Sequence, residues 1–325
     1  MGQDSRLAKL LRQLFTELGQ KSSELNIEML GLYQLEAKSL QHLGKYQDAI
    51  SLMTQIVSIK EAELAENHPN HLAWRYNLAR VYDANGQVEE AIELLRSIVE
   101  IESLTLAEND PDRLTSQHAL ALAYHSNRQI KEAIEILEHV IRIRNNLPEE
   151  HQDWLAPRHA LGLAYSANGQ VEEAIEILEE VVRIRENLPE DHPDGLASQH
   201  SLAQAYSKIG RVEESINLME HVVEIRKSLA EDHPDLLASQ HSLGQVYYKD
   251  GRYEEAVNVF EHVVKIRQSL APNHADLLAS QHELARGFYK VGRTDEAIRL
   301  LEHVVEARDD HPDVHASQHS LARGY

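Results

Sequence analysis

Residues 193–233 read PDGLASQHSLAQAYSKIGRVEESINLMEHVVEIRKSLAEDH, and this stretch decides the fold. Leu202, Ala205, Tyr206 and Ile209 recur at the spacing of one α-helical face, and Gly210 stops that helix. A second helix follows the glycine. In the preceding copy it opens on Glu172 and Glu173 and closes on Arg183 and Arg185, the polarity that the helix macrodipole favours. Its apolar stripe is Ala174, Ile175, Ile177, Leu178, Val181 and Val182. The turn EDHPD, at 190–194 and again at 231–235, places Pro193 or Pro234 at a first helical position behind a polar capping residue. Each unit is therefore expected to be a helical hairpin.

Outward from this stretch the module recurs along the chain. Gly169, Gly210, Gly251 and Gly292 are 41 residues apart, and Gly44, Gly86 and the equivalent Arg128 continue the series upstream at a spacing of 42. The string LASQH stands at 196–200, 237–241 and 278–282, with HASQH at 315–319. An aromatic sits four residues before most turns (Tyr82, Tyr124, Tyr165, Tyr206, Tyr247, Phe288), and a leucine sits eight before (Leu78, Leu120, Leu161, Leu202, Leu243, Leu284). These are expected core positions. One hairpin cannot bury its own apolar face, so adjacent hairpins must stack into a continuous core.

The two ends differ from the body. Residues 1–22 carry Leu7, Leu10, Leu11, Leu14, Phe15 and Leu18 on one helical face, behind Asp4 and Ser5 and closed by Gly19, which predicts an amphipathic capping or docking helix ahead of a repeat region over 23–325. Near the other end, the connection from His303 to His319 is four residues shorter than that from His262 to His282, about one helical turn. The sequence stops at Tyr325, inside the first helix of an eighth unit, which reads as a fragment of a longer protein or a bare cap.

Composition narrows function. The formal net charge is −21, so nucleic acid and anionic membrane are not expected partners. There is no cysteine, hence no disulfide, thiolate metal site or cysteine nucleophile. No apolar run approaches the roughly 18 residues of a membrane span, so a soluble cytoplasmic protein is expected. No Gly-rich phosphate loop is present, and His282-Glu283 lacks the second histidine of a zincin helix. Paired glutamates such as Glu172 and Glu173 match the helix dipole rather than acid–base catalysis. No catalytic residue, metal or cofactor is expected.

The pattern Leu243, Gly244, Tyr247, Gly251, Ala256, Phe260 and Val263 resembles the tetratricopeptide repeat. The long period and the DHPD turn are similar to kinesin light chain repeats and to arrays attached to nucleotide-binding domains of fungal immune-type receptors. The resemblance implies an all-α, right-handed superhelical solenoid of helix-turn-helix repeats, with seven full units plus a partial eighth. It also implies a protein-binding scaffold with a concave groove lined by the first helices. The alternative is a ligand-sensing or autoinhibitory repeat region of a larger nucleotide-binding receptor.

Projected at 100° per residue, His200, Gln204, Ser207 and Lys208 lie opposite the core face. The register yields candidate groove residues Tyr76, His118, His159, His200, Gln204, Lys208, His241, Gln245, Lys249, His282, Arg286 and Lys290, with His319 and Arg323 beyond them. The histidine column reads either as a ladder of hydrogen-bonding rings for an extended peptide or as residues that link neighbouring hairpins or simply face solvent. A third reading makes it a pH sensor charging near pH 6.5. In the other column Ala84, Ser126 and Ala167 give way to Lys208, Lys249 and Lys290, so the C-terminal half becomes basic and suits an acidic peptide. The oligomeric state stays open at this level.

Overall fold

The computed structural model describes Leu10 and residues 30–42, 45–145, 155–270 and 275–307. They form fourteen α-helices and, among the described residues, no strand. The chain divides into two compact units, Met1–Asn168 and Gly169–Tyr325. The first holds α1 (Leu30–His42), α2 (Tyr46–Glu63), α3 (Pro69–Ala84), α4 (Val88–Thr105), α5 (Pro111–Ser126), α6 (Ile130–Arg144) and α7 (Leu155–Ala167). The second holds α8 (Val171–Arg185), α9 (Pro193–Lys208), α10 (Val212–Arg226), α11 (Pro234–Asp250), α12 (Tyr253–Leu270), α13 (Ala275–Lys290) and α14 (Thr294–Ala307). Within each unit every helix packs on its neighbour in sequence, and alternate helices such as α3 and α5, or α9 and α11, also touch. That is the contact pattern of stacked hairpins.

Local chemistry sets the helix ends. Pro69, Pro111, Pro193 and Pro234 each open a helix, where a missing N–H costs nothing. The residue before each accepts a backbone N–H: Nδ1 of His68, His192 and His233 from Asn70, Asp194 and Asp235 at 3.2 Å, and Oδ1 of Asp110 from Asp112 at 2.9 Å. The HPD tripeptides are therefore capping punctuation. At the hairpin turns Gly86, Gly169, Gly210, Gly251 and Gly292 have φ between 78° and 85°, and Arg128, standing where the others have glycine, is held at 61°. A side chain there is strained by about 1–2 kcal/mol.

The repeated leucines Leu78, Leu120, Leu161, Leu202, Leu243 and Leu284 are all buried. In the C-terminal unit one cluster runs through Met219, Leu243, Tyr247, Phe260, Leu284 and Phe288. Phe260, fully buried, contributes about 1.5–3 kcal/mol by leaving water. It fits because Gly244 faces it: a Cβ at 244 would lie 2.8 Å from the Phe260 ring. The preceding copy makes the opposite choice, Ala203 with Met219. In these two copies the small residue and the large one change together, so both pairs stay buried.

One expectation changes and another is extended. Ile209, placed on the apolar face of the first helix, is the residue just past the end of α9 and is 38% exposed. Arg185, read as a charge matched to the helix macrodipole, is in addition buried and donates to the Asp194 carbonyl and to Ser198 Oγ. The expected N-terminal helix over 1–22 (Leu10 aside), Gly44, the shortened connection after His303 and the partial eighth unit fall outside the described residues.

Candidate functional site

The histidines of the predicted column sit between first helices and are mostly withdrawn from solvent. His200 on α9 pairs through Nδ1 with Ser239 Oγ at 3.3 Å and through Nε2 with Ser242 Oγ at 3.1 Å, both on α11. His241 on α11 repeats the arrangement with Ser280 of α13 at 3.0 Å and packs edge-on against Phe260. Burial depresses the imidazolium form of His118, His200 and His241 to a pKa of about 4, with a nearby arginine adding to the effect in each case. Charging near pH 6.5 is thus displaced by more than two pH units at these three positions. His159 is half-buried on α7, and His282 lies 4.0 Å from Glu283.

Cationic and amide side chains crowd one side of the first helices of the C-terminal unit. Exposed Gln204 donates to Ser242 Oγ at 3.2 Å, and Gln245 is half-buried one repeat on. The Lys249 ammonium donates to Ser207 Oγ at 3.0 Å. The pKa of Lys208 is lowered by partial burial and then by the charge of Lys249, so the two ammonium groups share one stretch of surface. Arg286 stacks 4.7 Å over the Tyr248 ring while pairing with Glu283 at 2.8 Å, and the Lys290 ammonium lies 5.7 Å from the Tyr253 ring centre.

In the N-terminal unit, Tyr76 belongs to a cleft of about 380 Å³ between the start of α3, the end of α4 and the start of α5. Its walls include Pro69, Leu72, Leu106, Asp112, Ser116 and Glu102. Glu102 was missed by sequence reasoning. Only 4% of it is exposed, Ser116 donates to its Oε1 at 3.1 Å, and its Oε2 has no hydrogen-bond partner. Burial, opposed by the Ser116 hydrogen bond and the charge of Arg113 and reinforced by Asp112 and Asp110, pushes its carboxyl up to about 7. A signal was present, because Glu102 interrupts a cationic register of Lys60, Arg144, Arg185, Arg226 and Arg267.

That register and the turn aromatics join successive hairpins. Arg226 and Arg267 repeat the Arg185 contact, donating to the Asp235 and Asp276 carbonyls and to Ser239 and Ser280. Tyr165, Tyr206 and Tyr247 donate at 2.6 Å to Glu138, Glu179 and Glu220 of the preceding second helix. Arg211 and Arg252 stack over the Tyr206 and Tyr247 rings at 3.9 and 4.2 Å. Desolvation, with the adjoining glutamate, pushes both phenols up to about 12.

A fold of stacked helical hairpins, closed by Leu, aromatic and Gly positions in fixed register, defines a helical repeat protein. The tetratricopeptide repeat family profile matches residues 29–101, 84–146, 155–228, 197–269 and 235–310, and the chain belongs to that family. Its members are generally non-catalytic interaction scaffolds. No curated protein matches the chain. Among solved structures, a Podosopora anserina kinesin light chain-like protein with nearly identical TPR-like repeats is 44% identical over 63% of this chain and 99% of its own, with a TM-score of 0.53. BtubC (BKLC) from P. vanneervenii is 20% identical, covering 70% and 92% of the two chains with a TM-score of 0.57, a likeness of fold. The quorum sensor NprR from B. thuringiensis is 16% identical, covering 91% and 80% with a TM-score of 0.65; NprR has also been solved in complex with its cognate peptide NprX. Among the described residues no helix is long and apolar enough to cross a membrane.

Proposed function

We propose that the chain is a cytoplasmic interaction scaffold whose C-terminal unit holds an extended acidic peptide segment against its first helices. Lys208, Lys249, Lys290 and Arg286 supply the charge, and Gln204, Gln245 and the rims of His200, His241 and His282 supply hydrogen-bonding edges. The observation that carries the reading is the convergence of Lys208 and Lys249 on a chain of net charge −21. Two ammonium groups that repel each other on one surface gain from a carboxylate placed between them. The peptide-bound NprR structure supports the mode, since a protein of this fold there holds a peptide.

The test is titration of a fluorescent oligoglutamate peptide, and of partners captured with it from source-cell lysate, onto the full chain. Lys208→Glu with Lys249→Glu is expected to abolish binding at low salt, and added salt is expected to weaken binding to the unaltered protein. Equal affinity of the double variant overturns the proposal.

A further inference from the structure

The same cleft occurs twice, and its two copies differ in one decisive side chain. In the C-terminal unit a cleft of about 360 Å³ is walled by Asp232, Pro234, Leu237, Ala238, Arg267 and Asp276. These positions correspond in register to Asn67, Pro69, Leu72, Ala73, Glu102 and Asp112 of the N-terminal cleft. Where Arg267 fills its place, its guanidinium is held by the Asp276 carbonyl and Ser280 Oγ. The N-terminal cleft has a carboxylate at that position, so the cation which the module ordinarily supplies from within is absent and its charge is reversed.

We propose that the N-terminal cleft is a socket for the guanidinium of an arginine side chain carried by a partner, with Glu102 as its counter-ion and Tyr76 as the ring beside it. Three observations converge on this chemistry. Glu102 is a nine-tenths buried carboxylate on the cleft wall with one oxygen lacking a hydrogen-bond partner. The terminal torsion of a glutamate is soft, so that oxygen turns toward the cleft at little cost. Asp112, also on the wall, adds negative charge, while Arg113, whose charge opposes the rise of the Glu102 carboxyl, donates to the Leu106 carbonyl at 3.2 Å and leaves Glu102 Oε2 without a hydrogen bond. Pro69, Leu72, Ala73 and Leu106 make an apolar lining for a three-methylene stem.

The second departure from the module lies in the same cleft. Tyr76 stands where later repeats have His118, His200 or His241, and it exchanges a histidine for a larger, electron-rich face. Guanidinium groups bind best where a carboxylate fork and an aromatic face meet. Two exchanges, Arg to Glu and His to Tyr, both favour a cation and both fall in one cleft. The raised carboxyl of Glu102 fits the same reading, because a buried acid whose desolvation outweighs the pull of nearby Arg113 keeps its proton and an arriving cation displaces it. The socket is independent of the acidic-peptide face, which lies in the other unit and needs the opposite charge.

The probe is N-acetyl-arginine amide, titrated into the isotopically labelled full chain and followed by amide chemical shifts. Saturable shifts confined to 67–76 and 102–116 are expected, with N-acetyl-citrulline amide, its neutral isostere, about tenfold weaker or silent. N-acetyl-lysine amide reports whether any cation suffices; binding as tight as that of the arginine probe overturns the guanidinium assignment. Glu102→Arg returns the module's own residue and should fold as the other repeats do, yet close the socket and remove the shifts. Lys208→Glu should leave them unchanged. Equal binding by Glu102→Arg and the unaltered protein, equal binding of the citrulline probe, or shifts scattered over the acidic surface would each overturn the proposal.

Discussion

Replacing Glu102 by glutamine is expected to stabilise the protein at neutral and alkaline pH and to change little in acid. The carboxyl is faced by Asp110, Asp112 and Arg113 from the start of α5, by Ser116, and by Tyr76 from α3. Its pKa rises from 4.5 to about 7, with burial the leading cause. The folded protein thus binds the Glu102 proton more tightly than the unfolded chain does. Stability from this group is fully present below about 4.5, declines as pH rises toward 7, and stays low above it. At about 1.4 kcal/mol per pH unit, the penalty on the ionised form is about 3 kcal/mol. Glutamine preserves shape and can accept from Ser116 without that penalty. Repeat arrays unfold in neighbour-coupled steps, so the readout should be local: hydrogen exchange of amides in α4 and α5, compared between variant and unaltered protein at about pH 5 and about pH 8. Added protection of two orders of magnitude at the higher pH and little at the lower is expected. The same difference at both values, or loss of protection in the variant at high pH, would refute the assignment of an ionisable, penalised carboxyl.

The remaining predictions concern packing, turns and the histidine column. Gly244→Ala drives a methyl into the Phe260 ring and should cost about 1–3 kcal/mol; adding Phe260→Met, which recreates the Ala203 and Met219 pairing, should recover most of it, measured as a double-mutant cycle by urea unfolding. Arg128→Gly removes the left-handed strain at the turn between α5 and α6 and should gain about 1 kcal/mol, read as a raised midpoint in the same assay. His200 should remain neutral through pH 6 and charge only near pH 4, with Ser239, Ser242, Arg226 and Asp235 around it. Its proton is held more weakly in the folded chain than in the unfolded one, so this residue should favour unfolding progressively below pH 6.5. Imidazole nitrogen shifts check both statements, and a titration midpoint near 6.5 would contradict them.

How much of this was legible in the sequence follows from which interactions are local. The period of 41 or 42 residues, the turn glycines, the HPD caps and the buried leucine register depend on backbone geometry and on a 3.6-residue face, and both are written along the chain. Arg128 in the glycine register is a visible anomaly whose strain follows from chirality alone. The same repetition showed that Lys208, Lys249 and Lys290 fall in one column. Charge and the lack of cysteine set expectations about partners and metal sites from composition alone.

Tertiary structure decided what lies between repeats. A histidine recurring every 41 residues reads equally as a solvent-facing ladder or as a clasp; only packing showed His200 and His241 bonded to serines of the next first helix, where desolvation keeps them neutral. Arg185 and Arg226 looked like helix-end charges and proved to be buried staples, because their partners, a carbonyl and a serine, lie across a turn whose geometry no helical projection contains. Gly244 gained its meaning from Phe260, a residue on another helix. Glu102 was one odd letter in a cationic register until the cleft around it supplied the burial and an oxygen without a hydrogen-bond partner. Periodicity fixes the elements and their order, whereas the desolvation of each polar group depends on atoms brought from other elements, and these meet only when the hairpins stack.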